Sequence, residues 1–419
     1  MIWLLPVKSI ATRRFATGLI ILAIASSFAL LIAVEKLRVA ARTSFLSTIS
    51  GTDLIIGPRG GGVELLLQTV FYSGQPQGLL SMNVVELLRQ RPEVAWAEPI
   101  SLGDAHRGFP VVGTDKGFLD HYAYRDGRKL VLAHGKTNGD LFDATLGSEV
   151  AARLGYDVGA KIVIGHGTGQ TSFLTHDDKP FRIAGILQPT GTPIDQAVLI
   201  SLQAIEALHR DWQGGARPTD ATGISTGGAR AGRPDQQRVT AVMVGLRSKF
   251  HALSLMRAIN EWPDEPLTAI MPGVVMQELI GLTRPFEAAL RLVSLCVVAV
   301  ALAGMAAAIL ASLESRRKEM AILRAVGASP FHIGGLMLAE AVFLATSGAA
   351  AGMLAVYATL WAGRSHVDRL FGLSIGTVSP SPDDLLWIIA AALSGALAGL
   401  IPAMRAYRLS VADGLAAPA

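Results

Sequence analysis

Of 419 residues only one is cysteine, 6% are aromatic and 17% are Asp, Glu, Lys or Arg. A single cysteine excludes an internal disulfide, so any domain exposed to an oxidising compartment must stand on its own apolar core. Cys296 falls inside a long apolar run, where the plain reading is a small buried hydrophobe rather than a redox group. The formal charge of +4 is carried largely by short basic clusters beside apolar runs, which speaks for membrane topology and against nucleic-acid binding. Nucleotide-binding patterns are also missing. His134-Gly135-Lys136-Thr137 resembles the end of a phosphate-binding loop, but Leu130 stands where that loop needs its first glycine. Gly165, Gly167 and Gly169 alternate, yet Gln170 occupies the place of the third glycine of a dinucleotide fingerprint. His-Glu-x-x-His does not occur. Nine histidines are present, among them His106, His121, His134, His166 and His176, and none has the close spacing to a carboxylate or thiolate that marks a ligand set. Scattered histidines are expected, and no catalytic, cofactor or metal residue is assigned.

What the chain has in excess is apolar sequence, 51% of its residues, unevenly placed. Four runs reach the roughly 20 residues needed to cross a hydrocarbon core: Phe15 to Val34, Leu292 to Leu313, about Pro330 to Gly363, and Leu385 to Met404. Lys8, Arg13 and Arg14 precede the first, Arg316, Arg317, Lys318 and Arg324 separate the second from the third, and Arg405 and Arg408 follow the fourth. With four spans these clusters fall on one side, so the positive-inside rule puts both termini in the cytoplasm and the segment from about Glu35 to Arg291 outside. The first run has the basic start and small residues of a signal peptide, but its uncharged length favours a retained span.

The outer segment reads as two strand-helix-strand units parted by an insertion. Asp53 to Ile56, Met82 to Gln90 and Val94 to Ile100 form the first, the last strand closed by Pro99 and Gly103; Val239 to Leu246, His251 to Trp262 and Leu267 to Ile270 form the second. The insertion holds strands Lys161 to Ile164 and Phe181 to Ile186 and a helix from Gly147 to Leu154 ended by Gly155. Gln213 to Gln237 has almost no large apolar residue and is expected to be a loop. Its arginines, with Arg238, either are solvated or meet an anionic partner.

Between the second and third spans lies Glu314-Ser-Arg-Arg-Lys-Glu-Met-Ala-Ile-Leu-Arg-Ala-Val-Gly-Ala-Ser-Pro330. As a helix it sets Met320, Leu323 and Val326 or Gly327 on one apolar stripe. Gly327 suits its end, and Ser329-Pro330 suits the start of the next helix. Physics alone leaves two readings level, a positive loop resting on lipid and a helix that docks on another protein. The run resembles the coupling segment of the macrolide-exporter/FtsX permease family through Arg316, Arg317, Lys318, Glu319, Met320, Ala321, Ile322, Leu323, Arg324, Ala325, Val326, Gly327, Ala328 and Ser329. Glu340 sits where such permeases often carry an acid. Asp53 to Gly60, Leu146 to Gly155 with Val158-Gly159, and Pro189-Thr-Gly-Thr-Pro-Ile-Asp195 are also similar to family segments. The fused ATPase domain of the macrolide exporter is absent from this sequence.

That resemblance implies a membrane protein with four transmembrane helices and a large α+β extracytoplasmic domain of MacB-like type, porter-like with an inserted second subdomain, between spans one and two. The expected parts are residues 1–43 (cytoplasmic start and first span), 44–280 (outer domain, insertion about 114–238) and 281–419 (FtsX-like part with three spans and coupling helix 314–327). ATPase contact is expected of Glu314, Arg316, Arg317, Lys318, Glu319, Met320, Leu323, Arg324 and Gly327. The partners implied are a separate ABC ATPase, a second permease copy or paralogue, a periplasmic adaptor or lipoprotein, and membrane lipid. No cofactor binds directly, ATP and Mg acting through the ATPase. The location implied is the inner membrane. Three functions stay open: export or extraction of a small molecule, peptide or lipoprotein; FtsX-like regulation of a periplasmic cell-wall hydrolase; and, outside the family, a membrane-anchored binding or sensor module.

Overall fold

The computed structural model describes residues 14–48, 50–76, 78–125, 127–167, 176–209, 238–315, 320, 322, 324–371 and 381–408. The chain divides into two compact units, one built from residues 1–40, 284–366 and 375–419, the other from 41–283 and 367–374.

The second unit is organised by an eleven-stranded sheet. Its path runs Leu267–Ile270, Leu54–Pro58, Ala241–Leu246, Val94–His106, Phe109–Thr114, Val198–Ser201, Asp143–Leu146, Phe181–Leu187 and Leu132–Gly135, with Gly165–His166 beside Val94–His106 and Lys161–Ile162 beside Phe181–Leu187. The first four strands are antiparallel and interleave the two strand-helix-strand units, the split β-α-β arrangement. Alternation along each strand feeds both faces. Leu54 and Ile56 join Val84, Val85 and Leu88 of helix Met82–Gln90 and Leu255 and Ile259 of helix Ala252–Asn260. Ile55 points the other way, onto Leu65, Leu66 and Val70 of helix Gly62–Phe71 and onto Val275 and Met276. Helix Gly62–Phe71 can lie close because Gly57 has no side chain, a Cβ there standing 2.4 Å from Leu65 Cδ1.

Val94–His106 is longer than the run that closes at Ile100. Pro99 is accommodated opposite Val242, and the register shifts between Ser101 and Asp104 across Gly103, whose φ is +148°. The strand therefore bends instead of ending. Beyond it Phe109, Val111, Phe142, Ala144, Val150, Phe181, Ile183, Val198 and Leu208 pack into a second core, and Val112 and Leu199 face a third with Ile100, Phe118, Tyr122 and Ile194. Gly155, at φ +67°, closes helix Ser148–Leu154 in the left-handed conformation. The stretch Gln213 to Gln237 lies outside the described residues; Arg238 donates to Leu79 O at 2.9 Å.

The first unit is helical. Arg14–Ala40, Pro272–Leu313, Pro330–Gly363 and Asp384–Tyr407 are long and apolar enough to cross a membrane, four such helices among the described residues. Ile24, Phe28 and Leu31 of the first, Leu302, Met305 and Ile309 of the second, Met337, Ala341, Leu344 and Ala345 of the third, and Ala391 and Ala403 of the fourth share one core. Small residues at four-residue spacing bring these helices together within the subunit. A Cβ at Gly348 would stand 2.6 Å from Ile24 Cγ2, at Gly352 2.4 Å from Ala25 O, at Gly395 2.4 Å from Ala345 Cβ and at Gly399 2.6 Å from Ala341 Cβ. Cys296 is exposed on this unit rather than buried, because it shares a helix face with Leu292 and Leu295 and not with the core residues Val298 and Leu302.

Candidate functional site

Ion pairs hold the end of the helical unit opposite the 316–329 segment. Lys36 Nζ lies 2.8 Å from Asp384 Oδ1, joining the first helix to the fourth. Tyr357 of the third helix donates its hydroxyl to the same carboxylate. Glu35 accepts from Arg291 at 2.9 Å, joining the first helix to the second, and from Arg38. Two ion pairs and the Tyr357 hydroxyl therefore tie all four helices at one end.

At the other end the expected coupling segment is partly visible. Arg316, Arg317, Lys318, Glu319 and Leu323 lie outside the described residues; Glu314 is in the last turn of helix Pro272–Ser315 and only its backbone is described. Met320 is buried in the shared helical core with Leu313 and Ile333. Arg324 donates Nη2 to Tyr407 O at 3.0 Å, satisfying a carbonyl in the last turn of the fourth helix, where intrahelical donors have run out. Gly327, at φ +102°, turns the chain out of the helix, its N–H reaching Arg324 O at 3.0 Å. Ser329 Oγ then accepts from the His332 N–H at 3.4 Å, and helix Pro330–Phe371 begins with proline in its first turn. Ile322, Val326 and Phe331 are exposed beside these anchors at 61, 83 and 81%. Among the described residues of the segment, Met320 and Arg324 thus hold to the spans, while Ile322 and Val326 lie without cover in the single subunit. Glu340, about two and a half turns beyond Phe331, is buried within the third span.

The outer domain gives a structural reason for two of the sequence signatures. Asp195 accepts from the Thr190 and Gly191 N–H groups at 2.9 and 2.7 Å and from Thr190 Oγ1 at 2.9 Å, which folds Pro189 to Asp195 into a tight turn. Burial raises the Asp195 carboxyl above its ordinary range, and those hydrogen bonds only partly oppose it. Gly147, from the other signature, donates to Ala197 O at 2.8 Å and packs directly on this turn. Gly135 of the His134-Gly135-Lys136-Thr137 sequence ends an edge strand rather than opening a helix, so the phosphate-loop geometry is absent there. The spacing Gly-x-Ser-x-Gly does occur at Gly223 to Gly227, outside the described residues, and spacing alone assigns no nucleophile. Sequence reasoning passed over two features: the ion pairs of Glu35, Lys36, Arg291 and Asp384, whose partners are hundreds of positions apart, and the meeting of His166, His176 and His209.

With this geometry in hand, residues 17–260 match the family model of the MacB-like periplasmic core domain and residues 291–411 that of the FtsX-like permease C-terminal region. Among solved structures the chain is similar to the periplasmic region of MacB from Actinobacillus actinomycetemcomitans, at 11% identity and TM-score 0.33, covering 56% of this chain and 97% of that one. It is also similar to the extracellular domain of the noncanonic ABC-type transporter YknZ from Gram-positive bacteria, at 11% identity and TM-score 0.30, covering 52% and 98%. Comparison with curated proteins gives no match. An α+β outer domain between the first and second of four membrane-capable helices, followed by an FtsX-like region, defines an integral-membrane permease. The chain belongs to the MacB/FtsX type of ABC-transporter permeases. Permeases of this type are membrane components that work with an ABC ATPase and are not themselves catalytic subunits. The four helices and the periplasmic-type domain fit a multi-pass inner-membrane protein.

Proposed function

We propose that the chain is a mechanical relay: a permease subunit that takes up conformational work from a separate ATPase on the cytoplasmic side and delivers it to its periplasmic domain, for export or extraction of a substrate. ATP and Mg act in the partner; both termini and the 314–327 segment are cytoplasmic, and two permease copies work with two ATPases. The observation that carries this reading is the anchoring of the coupling segment. Met320 is set into the core shared by the spans, and Arg324 is bonded to the end of the fourth helix. A push on the exposed side of the segment, at Ile322 and Val326, therefore reaches the spans through buried and hydrogen-bonded contacts rather than through a slack loop. Close packing makes such an element move as a unit, since interiors deform little under load. The test is reconstitution: the purified permease alone hydrolyses no ATP, and adding it to its ATPase in lipid raises hydrolysis by that ATPase. Saturable hydrolysis by the permease alone, or an ATPase indifferent to it, contradicts the proposal.

A further inference from the structure

The bend in strand Val94–His106 has a chemical consequence. Past the bulge, Asp104 pairs with His166 and Ala105 with Gly165. His209 is the last residue of helix Leu202–His209, and the His176 N–H donates to Ile164 O at 2.9 Å. Three imidazoles distant in sequence are thereby gathered at one place. Ring centroids lie 4.6 Å apart for His166 and His176, 4.8 Å for His166 and His209, and 5.5 Å for His176 and His209. One nitrogen from each ring lies within 4.8 Å of the other two. His176 is fully buried, whereas the His166 and His209 side chains are 28 and 37% exposed. The cluster has a floor and an opening.

Tautomers sharpen the picture. A carbonyl oxygen only accepts, so His209 Nδ1, 2.7 Å from Ile205 O, carries a proton and donates it. The ring nitrogen turned to the cluster is then Nε2, 3.5 Å from Asp104 Oδ1 and 3.3 Å from His166 Nδ1. A bare lone pair on Nε2 would face a carboxylate oxygen, so this nitrogen needs a cation, a proton or a metal. A metal-bound histidine usually has this arrangement, one ring nitrogen donating to a carbonyl or carboxylate while the other faces the ion. Asp104 is 3% exposed, and its Oδ1 also lies 3.2 Å from His166 Nδ1. The buried Lys179 pairs with Asp178 at 3.2 Å.

We propose that His166, His176 and His209, with Asp104 as carboxylate ligand, form a binding site for a borderline divalent transition ion of the Zn2+ class in the outer domain. The donor set has the number and chemistry for it: three imidazoles and one carboxylate make a tetrahedral N3O site, and ligands at about 2.0–2.1 Å from Zn2+ stand about 3.3 Å from each other. The His166 and His209 nitrogens already have that separation, Asp104 Oδ1 stands 3.2 and 3.5 Å from them, and the His176 nitrogen, within 4.8 Å of the other two imidazoles, closes by up to about 1.5 Å to reach it. The bound ion clamps the end of helix Leu202–His209 to strand Gly165–His166. This inference is independent of the relay proposed above.

The test uses the full-length permease, purified in detergent without a polyhistidine tag and stripped with chelator. Titration with ZnCl2 should saturate at one ion per chain and raise the unfolding temperature, and Co2+ should give the visible absorption of a tetrahedral site. His209→Asn, a partly exposed position that leaves the core intact, should weaken Zn2+ binding by more than about 10-fold and abolish the Co2+ spectrum. His134→Asn, on an edge strand, should change neither. Absence of stoichiometric binding in the wild-type chain, or binding and a spectrum unaltered in His209→Asn and His166→Asn, overturns the site.

Discussion

Gly147 sits so close to Asp195 that a Cβ on it would lie 2.3 Å from the Asp195 carbonyl oxygen, and equally close to that of Ile194. Two sequence signatures of the outer domain are the two sides of one packing contact. Because the obstacle is backbone already committed to a tight turn, it cannot rotate away. Gly147→Ala should cost about 1–3 kcal/mol and make the outer domain of the full-length chain cut faster in limited proteolysis. Gly155→Ala, where nothing stands within 4 Å and only the φ of +67° is unfavourable, should cost about 1 kcal/mol. Equal sensitivity would argue against the contact.

Asp143 gives the outer domain a pH dependence of known sign. Burial opposes its ionisation, but the Asp140 and Gly139 N–H groups and the Arg182 guanidinium outweigh burial and lower its pKa. A depressed carboxylate contributes stability that is present above its unfolded value, about 3.9, and is lost as pH falls through the folded value. Proteolytic resistance of the outer domain should fall on acidification below about pH 4, and Asp143→Asn should be less stable at neutral pH with a flatter acid limb. An unchanged acid limb would remove Asp143 from the account.

Helix packing in the membrane unit predicts a strict size limit. Gly352→Leu must displace backbone of the first helix at Ala25, and Gly395→Leu the Ala345 methyl group of the third. Both should insert but melt at lower temperature in detergent, while Gly363→Leu, with open space around it, should behave as wild type. Gly352→Leu with wild-type stability would mean that the first and third helices are not held by this contact.

Topology is the next prediction. A reporter active only outside the cytoplasm should work when inserted within Gln213 to Gln237 and fail after Arg408. Activity at the C-terminal fusion would require an odd number of spans.

These tests divide along what the sequence could reveal. The four spans were legible because an uncharged run of about 20 residues has few alternative fates. Helices Met82–Gln90 and Ala252–Asn260 and strand Leu267–Ile270 followed from period alone. Helix Gly62–Phe71 did not: it is apolar on most sides and has no capping side-chain bond at Gly61. Pro99 and Gly103 read as a stop because their backbone preferences are local, while the pairing of this strand with Ala241–Leu246 and Phe109–Thr114 is not. The histidine cluster was invisible for the same reason, since His166 meets Asp104 only through a strand pairing across the bulge. Of the coupling segment, sequence indicated the turn at Gly327 and the helix start at Pro330; the bond from Arg324 to Tyr407 O depends on how the spans pack.

The relay itself is tested most directly at Arg317 and Arg324. If the segment docks on an ATPase, reversing a desolvated interface charge at Arg317 costs about 2–5 kcal/mol, against roughly 1 kcal/mol for a charge that only rests on anionic lipid, whereas Arg324→Glu removes the bond to Tyr407 O that anchors the segment to the fourth helix. The decisive measurement is ATP hydrolysis by the partner ATPase, with its co-purification, in vesicles carrying wild-type permease, Arg317→Glu or Arg324→Glu at equal inserted amounts. The relay predicts that both variants insert and that either one loses the ATPase or its stimulation. Normal assembly and full stimulation in both would contradict it and leave 314–327 a helix lying on the membrane surface.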